Sequence, residues 1–168
     1  MYNVVSTKLY ETVTHSVISY MIVKSLFLMA ARDHLSDFWE RVQKECASRG
    51  IVVGCPERGT ELSIRAATGV GWTIHHRANH IRPGMILRPS TKSSPSEIVE
   101  KLQPAIRRIE DSVGRMMIVE QKNTISRKAR IYLVVESFDG EDFTTWDEAI
   151  SQAVDEWCII MDECGKYL

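Results

Sequence analysis

The sequence is short of the devices that hold small secreted domains together. It has four cysteines, Cys46, Cys55, Cys158 and Cys164, and no C-x-x-C pair among them. Neither a disulfide framework nor a zinc ribbon is expected, and the thiols read as reduced, buried or half-buried groups. Long apolar runs are also missing. The most apolar window, residues 17–31, contains Lys24 and two serines and falls short of the roughly 20 residues that cross a bilayer. Glu11 and Lys24 spoil the profile of a signal peptide, so the expectation is a cytoplasmic protein without membrane association. No glycine-rich phosphate loop is present, because Gly69-Val70-Gly71 has neither a third glycine nor a helix after it. A nucleophile elbow, a recognition-helix motif and an RNA-binding signature are absent as well.

What is there is an ordinary globular chain: 168 residues, 44% hydrophobic and 26% charged, which excludes a disordered tail or a fibre. At this length roughly 70% of the unfolded surface is buried on folding, enough for one core without staples. The net charge of -1 hides a strong asymmetry. Residues 58–130 hold 14 Lys and Arg against 6 Asp and Glu, and residues 131–168 hold 1 against 10. The basic middle, with His75, His76 and His80, suits phosphates or an acidic partner. The simpler reading is that the two parts pack side by side and largely cancel.

Periodicity gives an α+β fold, a mainly antiparallel sheet of about five strands packed by three amphipathic helices. Trp146, Ile150, Ala153, Trp157, Ile160 and Cys164 form one helical stripe, with Thr145 and Glu148 at capping-box spacing. A helix over 36–48 presents Leu35, Phe38, Trp39, Val42 and Cys46 and ends at Gly50. Another starts at Ser94-Pro95-Ser96-Glu97 and closes at Gly114, with Pro104 expected to kink or split it. Strands are expected over 61–67, 71–77 and 80–88 as a meander, and over 115–122 and 129–137 as a pair whose second member is central. Pro83-Gly84 should make the third meander strand irregular or place it at an edge, and 51–54 reads as a further short strand. Residues 1–28 form an unassigned N-terminal extension, and 29–168 a single α+β domain.

Several short segments, in order, resemble domain of unknown function family 4268 over about residues 35–164: Asp37-Phe38-Trp39-Glu40, the hairpin ending in Met85-Ile86-Leu87, Ile109-Glu110 with Val113-Gly114, Arg130-Ile131, and the Trp146 helix. The sequence departs from the family at Val119, where an aromatic is expected. The resemblance implies an accessory domain in a DNA restriction or defence setting, since members often stand beside a separate nuclease-like domain. It implies no catalytic residue set.

Three functional readings follow. The first is a non-enzymatic binding module that engages nucleic acid, or a protein partner, through Arg77, Arg82, Arg107, Arg108, Arg115, Arg127, Lys128 and Arg130. Arg127 and Lys128 fall in a hairpin loop where long cations reach a phosphate backbone, and Trp72 could stack a base if exposed. The second is a metal-dependent nuclease. Glu120 and Lys122 are two apart on a strand and share a face, as in the E-x-K element where a carboxylate holds Mg²⁺ or Mn²⁺, and Glu61 would be the second carboxylate. The third is a structural homodimer, burying the Trp146 stripe or residues 1–28 against a second copy. No resident cofactor or metal is expected. Adjacent His75 and His76 point to opposite faces, so at most one could join His80, and Cys55 is the nearest further donor. The histidines read instead as part of the basic surface with Arg65, Arg77, Arg82 and Arg88.

Overall fold

Local signals start most elements, but pairing between distant segments decides where they sit. The computed structural model describes residues 34–54, 56, 59–67, 69–90, 94–121 and 128–168. The extension 1–28, Cys55, Lys122 and Arg127 lie outside the described residues. The chain divides into two compact units, Met1–Phe38 and Trp39–Leu168. Of the first unit only 34–38 is described, and it is helical; everything below concerns the second.

Among the described residues the architecture is α+β, with three helices and a five-stranded antiparallel sheet. Helix α1 (34–48) ends at Gly50, whose φ of 76° lets the Ile51 N–H turn back to the Cys46 carbonyl. Strands β1 (Glu61–Ala67), β2 (Val70–His76) and β3 (Ile81–Leu87) form the meander. Helix α2 (Pro95–Val113) follows, then β4 (Ile118–Gln121) and β5 (Ala129–Tyr132), a short 3-10 turn (Phe143–Thr145), and α3 (Trp146–Gly165). The sheet order is β1-β2-β3-β5-β4. Among the described residues no helix is long and apolar enough to cross a membrane.

Helix α2 starts as its sequence dictates. The Ser94 hydroxyl accepts from the Glu97 N–H, the Glu97 carboxylate accepts from the Ser94 N–H, and Gly114 closes the helix in the left-handed region. Pro104 does not split it. That residue is exposed, so the carbonyl one turn back, left without its N–H partner, can tilt toward water. One face of the sheet packs against α2 and α3: Val70, Met85, Leu87, Ala129 and Ile131 join Leu102, Ile106, Ile109, Ile160 and Cys164 in one buried cluster. The whole Trp146 stripe is buried in this chain's own core, which leaves that stripe no apolar surface for a second copy.

Four local expectations are corrected. Strand β3 is not an edge; it lies between β2 and β5. Pro83 has no N–H to give to β5, but its carbonyl still accepts from the Leu133 N–H at 3.0 Å, so the regular ladder from Gly84 to Leu87 is followed, with one bond missing, by a single bridge between Ile81 and Val135. Strand β5 is central, as its two apolar faces suggest, but its ladder therefore ends at Tyr132 rather than at 137. Residues 51–54 pair with no strand, and Val52 is 93% exposed. Thr145 does not cap α3. Its backbone is already helical, so its hydroxyl instead donates to the Asp142 carbonyl and accepts from the Asp139 N–H, while Asp142 caps the 3-10 turn that leads into the helix.

Candidate nucleic-acid interface

The register across the sheet sorts side chains into two faces, because directly paired residues point the same way. On the face away from α2 and α3 three rows run across the strands. Glu61, His75 and Arg82 form the first; Ser63, Thr73, Gly84, Tyr132 and Ile118 the second; Arg65, Gly71, Ile86, Arg130 and Glu120 the third. The opposite face carries Leu62, Ile64, Trp72, Ile74, Met85, Leu87 and Ile131. Polar and charged groups that alternation places on five separate strands thus share one surface.

Its centre is tightly built. Thr73, His75, Ile86 and Tyr132 are buried, Arg82, Arg88 and Arg130 are half-buried, and Arg65 and Lys128 are exposed. Gly84 is required there: a Cβ at that position would lie 2.2 Å from the Ile131 carbonyl oxygen and 2.6 Å from the Tyr132 Cβ. Glu61 Oε2 stands 3.2 Å from His75 Nε2 and 3.7 Å from Arg130 Nη2. Arg130 is on β5 and Glu61 on β1, three strands away, so this contact reaches across the face between distant strands. Arg82 sits over the Tyr132 ring at 4.8 Å and donates from Nε to His80 Nε2 at 2.7 Å. That bond fixes the His80 proton on Nδ1, which faces Asn79 Oδ1 at 2.8 Å. Tyr132 donates its hydroxyl proton to Glu120 Oε1 at 2.5 Å.

Protonation follows from this packing. Burial pushes His75 down to about 4, helped by Arg130, Arg77 and Arg82 and opposed by Glu61. Burial and Arg77 push His76 down to about 4 as well, and burial with Arg82 and Arg77 lowers His80. The three are neutral near pH 7. His76 points to the opposite face, where its ring meets Phe138 edge-on at 5.3 Å.

The cations singled out from the sequence divide into two groups. On the helix side Arg108 binds Glu163 at 2.7 Å and the Tyr167 hydroxyl, and Arg115 binds Glu156 and the Val134 carbonyl. With Arg41 on Asp147 and Arg49 on Asp155, four acids of α3 are each matched by an arginine. The charge asymmetry is compensated only in part there, because Arg108 and Arg115 come from the basic segment while Arg41 and Arg49 precede it. Arg107 is exposed on α2. Arg82 and Arg130 belong to the sheet face, Arg77 follows the end of β2 near His75, and Lys128 precedes β5 two residues from Arg130. The sequence reading did not find Tyr132 or the Glu61–His75–Arg130 contact. The polar phase of each strand was visible, but the register that joins the phases was not.

The carboxylates of the nuclease reading are not brought together. Glu61 and Glu120 stand on the two edge strands, β1 and β4, and each already has a partner on the sheet. Among the described residues no group of three or more His, Cys, Asp or Glu could hold a metal ion. Cys46 and Cys164 are buried thiols pushed up by burial to about 11 and about 12, and Cys158 is half-buried and also raised; none is an activated nucleophile. Trp72, the possible base-stacking residue, packs half-buried against the helix-side core.

What the fold and the surface define is an α+β domain with one apolar, helix-covered sheet face and one charged face. No family model matches the chain, and no curated protein matches it. Among solved structures, the crystal structure of YbjN from E. coli, a candidate transcription regulator, is similar to it with a TM-score of 0.40 and 11% identity, over 73% of this chain and 88% of that one. At that level the likeness carries no functional argument.

Proposed function

We propose that this chain is a non-enzymatic binding module that engages nucleic acid through the charged face of its sheet, in the restriction or defence setting that the family resemblance implies. One observation supports this above the others. Of the cations of the basic segment that α3 does not pair, Lys101 and Arg107 stand exposed on α2, and six others share the sheet face: Arg65, Arg82 and Arg130 by register, with Arg77, Arg88 and Lys128 at the strand ends, against Glu61 and Glu120 on the face and Glu136 and Asp139 beside Arg82. Guanidinium groups spread over a sheet read phosphates, not base edges, so sequence preference is slight and binding falls steeply with salt. A fluorescence-anisotropy titration of labelled duplex at low salt tests it. Binding with a dissociation constant below about 100 μM, the weak limit for non-specific association, is the expected result; no binding to duplex or single strand removes the nucleic-acid reading.

The protein-partner version rests on a different element. Strand β4 is an edge strand with Met116 (77% exposed), Ile118 and Val119 standing in solvent. An open edge bearing apolar side chains accepts an added strand. If nucleic acid does not bind, this edge is the place where an extended peptide would.

A further inference from the structure

On the charged face the partners of Glu61 are poorly satisfied. His75 is buried, and its Nε2 lies 3.2 Å from the Glu61 carboxylate yet off the line of a hydrogen bond; Arg130 Nη2 is 3.7 Å away, and Arg130 Nε is buried with no hydrogen-bond partner. Nε–H and Nη2–H form one edge of a guanidinium, a fork shaped for two oxygens of one anion. Here that fork faces a single carboxylate at too great a distance on one prong and nothing on the other. Arg77 and Arg82 act on the same imidazole and help keep it neutral, so the His75 position is surrounded by positive charge with one carboxylate beside it. Buried donors without acceptors are costly, and this cluster has more donors than Glu61 can serve.

We propose that His75 and Arg130, with Arg82 and Arg77 around them, form a phosphate-binding site, and that Glu61 occupies the position of one phosphate oxygen until a phosphodiester displaces it. The proposal rests on the nucleic-acid reading above for the source of the phosphate; the chemistry of the site requires only a tetrahedral oxyanion. A phosphodiester fills both prongs of the Arg130 fork and brings the second acceptor that Glu61 lacks. Glu61, on an edge strand and only partly buried, can swing toward solvent. The carboxylate thus acts as a built-in competitor that weakens binding and removes one phosphate contact from the salt dependence.

The test is Glu61→Gln in the full chain, with a labelled duplex titrated over a range of salt. The variant is expected to bind at least about threefold tighter than the wild type and to show a log-log salt slope steeper by about 0.9, one phosphate. A folded Glu61→Gln protein that binds duplex with unchanged affinity and slope overturns the proposal and leaves the nucleic-acid reading standing. If neither protein binds duplex, that reading fails, and inorganic phosphate decides the site: a thermal midpoint that rises with phosphate more in Glu61→Gln than in wild type upholds it, and equal response overturns it. Should Glu61→Gln not fold, Arg130→Lys keeps the charge and loses the fork; binding weaker by about threefold is expected, and wild-type binding contradicts the assignment.

Discussion

The two faces of the sheet differ in what their residues must satisfy. The helix-covered face is decided by area. Met85, Leu87, Ile131, Leu102 and Ile160 interlock, and any truncation leaves a cavity. The other face is decided by pairing. Its charges are held by a few contacts, Arg130 to Glu61, Arg82 to His80 and Tyr132, and Tyr132 to Glu120, with the exposed cations Arg65 and Lys128 on the same face. Adjacent His75 and His76 show the contrast in one dipeptide: one imidazole lies among guanidinium groups, the other against Phe138. The lesson is that the basic segment is not one patch. On the helix side Arg108 and Arg115 pair with α3 while Lys101 and Arg107 stand exposed, and the sheet side carries a separate group of cations.

The largest effect belongs to the apolar face. Trp157 is buried, and its indole N–H donates to the Gly84 carbonyl at 3.2 Å. Trp157→Ala should cost about 4 kcal/mol in urea unfolding, whereas Ser63→Ala on the charged face should stay within about 0.5 kcal/mol. Similar costs for the two would break the contrast. Gly84→Ala is the exception that sharpens it. The position is on the charged face, yet a Cβ would press into the β5 backbone, and a loss of about 2 to 3 kcal/mol is expected; a neutral result would mean that β3 and β5 are less tightly joined than described.

Acid should act next. Both His75 and His76 are lowered to about 4 from an ordinary 6.5. Their contribution to stability is therefore full above about 6.5 and is lost as pH falls toward 4, at up to about 1.4 kcal/mol per pH unit for each. Glu156 works in the other direction: burial raises its carboxyl, so its contribution is present at low pH and is lost as pH rises through the raised value, which offsets part of the histidine loss at the acid end. Urea midpoints at pH 7 and pH 5 should fall with pH, and His76→Gln should remove about half of the dependence. A midpoint independent of pH in that window would show that the imidazoles are not held neutral by burial. A small effect is expected at the rim of α3 as well, where Asp155→Asn breaks an exposed pair with Arg49 and should cost under about 1 kcal/mol.

How much of this could be read in advance follows from the range of each signal. Helix α2 was legible because its cap, its proline and its closing glycine are all local. The Trp146 stripe and the meander were legible from period alone. Thr145 was misassigned because the spacing of a capping box says nothing about the backbone angle of the cap residue. Of the two readings of β3, irregular or edge, only the irregular one holds, because β5, which arrives after a whole helix, covers the side an edge would leave open. The same gap hid the charged face. The alternation marks Glu61, His75, Arg82, Arg130 and Glu120 as polar-phase residues, but only the β3–β5 register gathers them. The pairing of α3 acids with Arg41, Arg49, Arg108 and Arg115 was foreseen as a cancellation of fields and not as particular contacts, since charge counting carries no geometry.

The salt dependence of duplex binding by two double variants tests the division of the basic segment most directly. Arg82→Ala with Arg130→Ala removes two cations of the sheet face; Arg107→Ala with Arg108→Ala removes two from α2. The first pair should flatten the log-log slope by about 1.8, near 0.9 for each phosphate lost, and the second should leave the slope as in wild type. An equal or larger loss from the α2 pair would contradict the account and move the nucleic-acid surface to the helices.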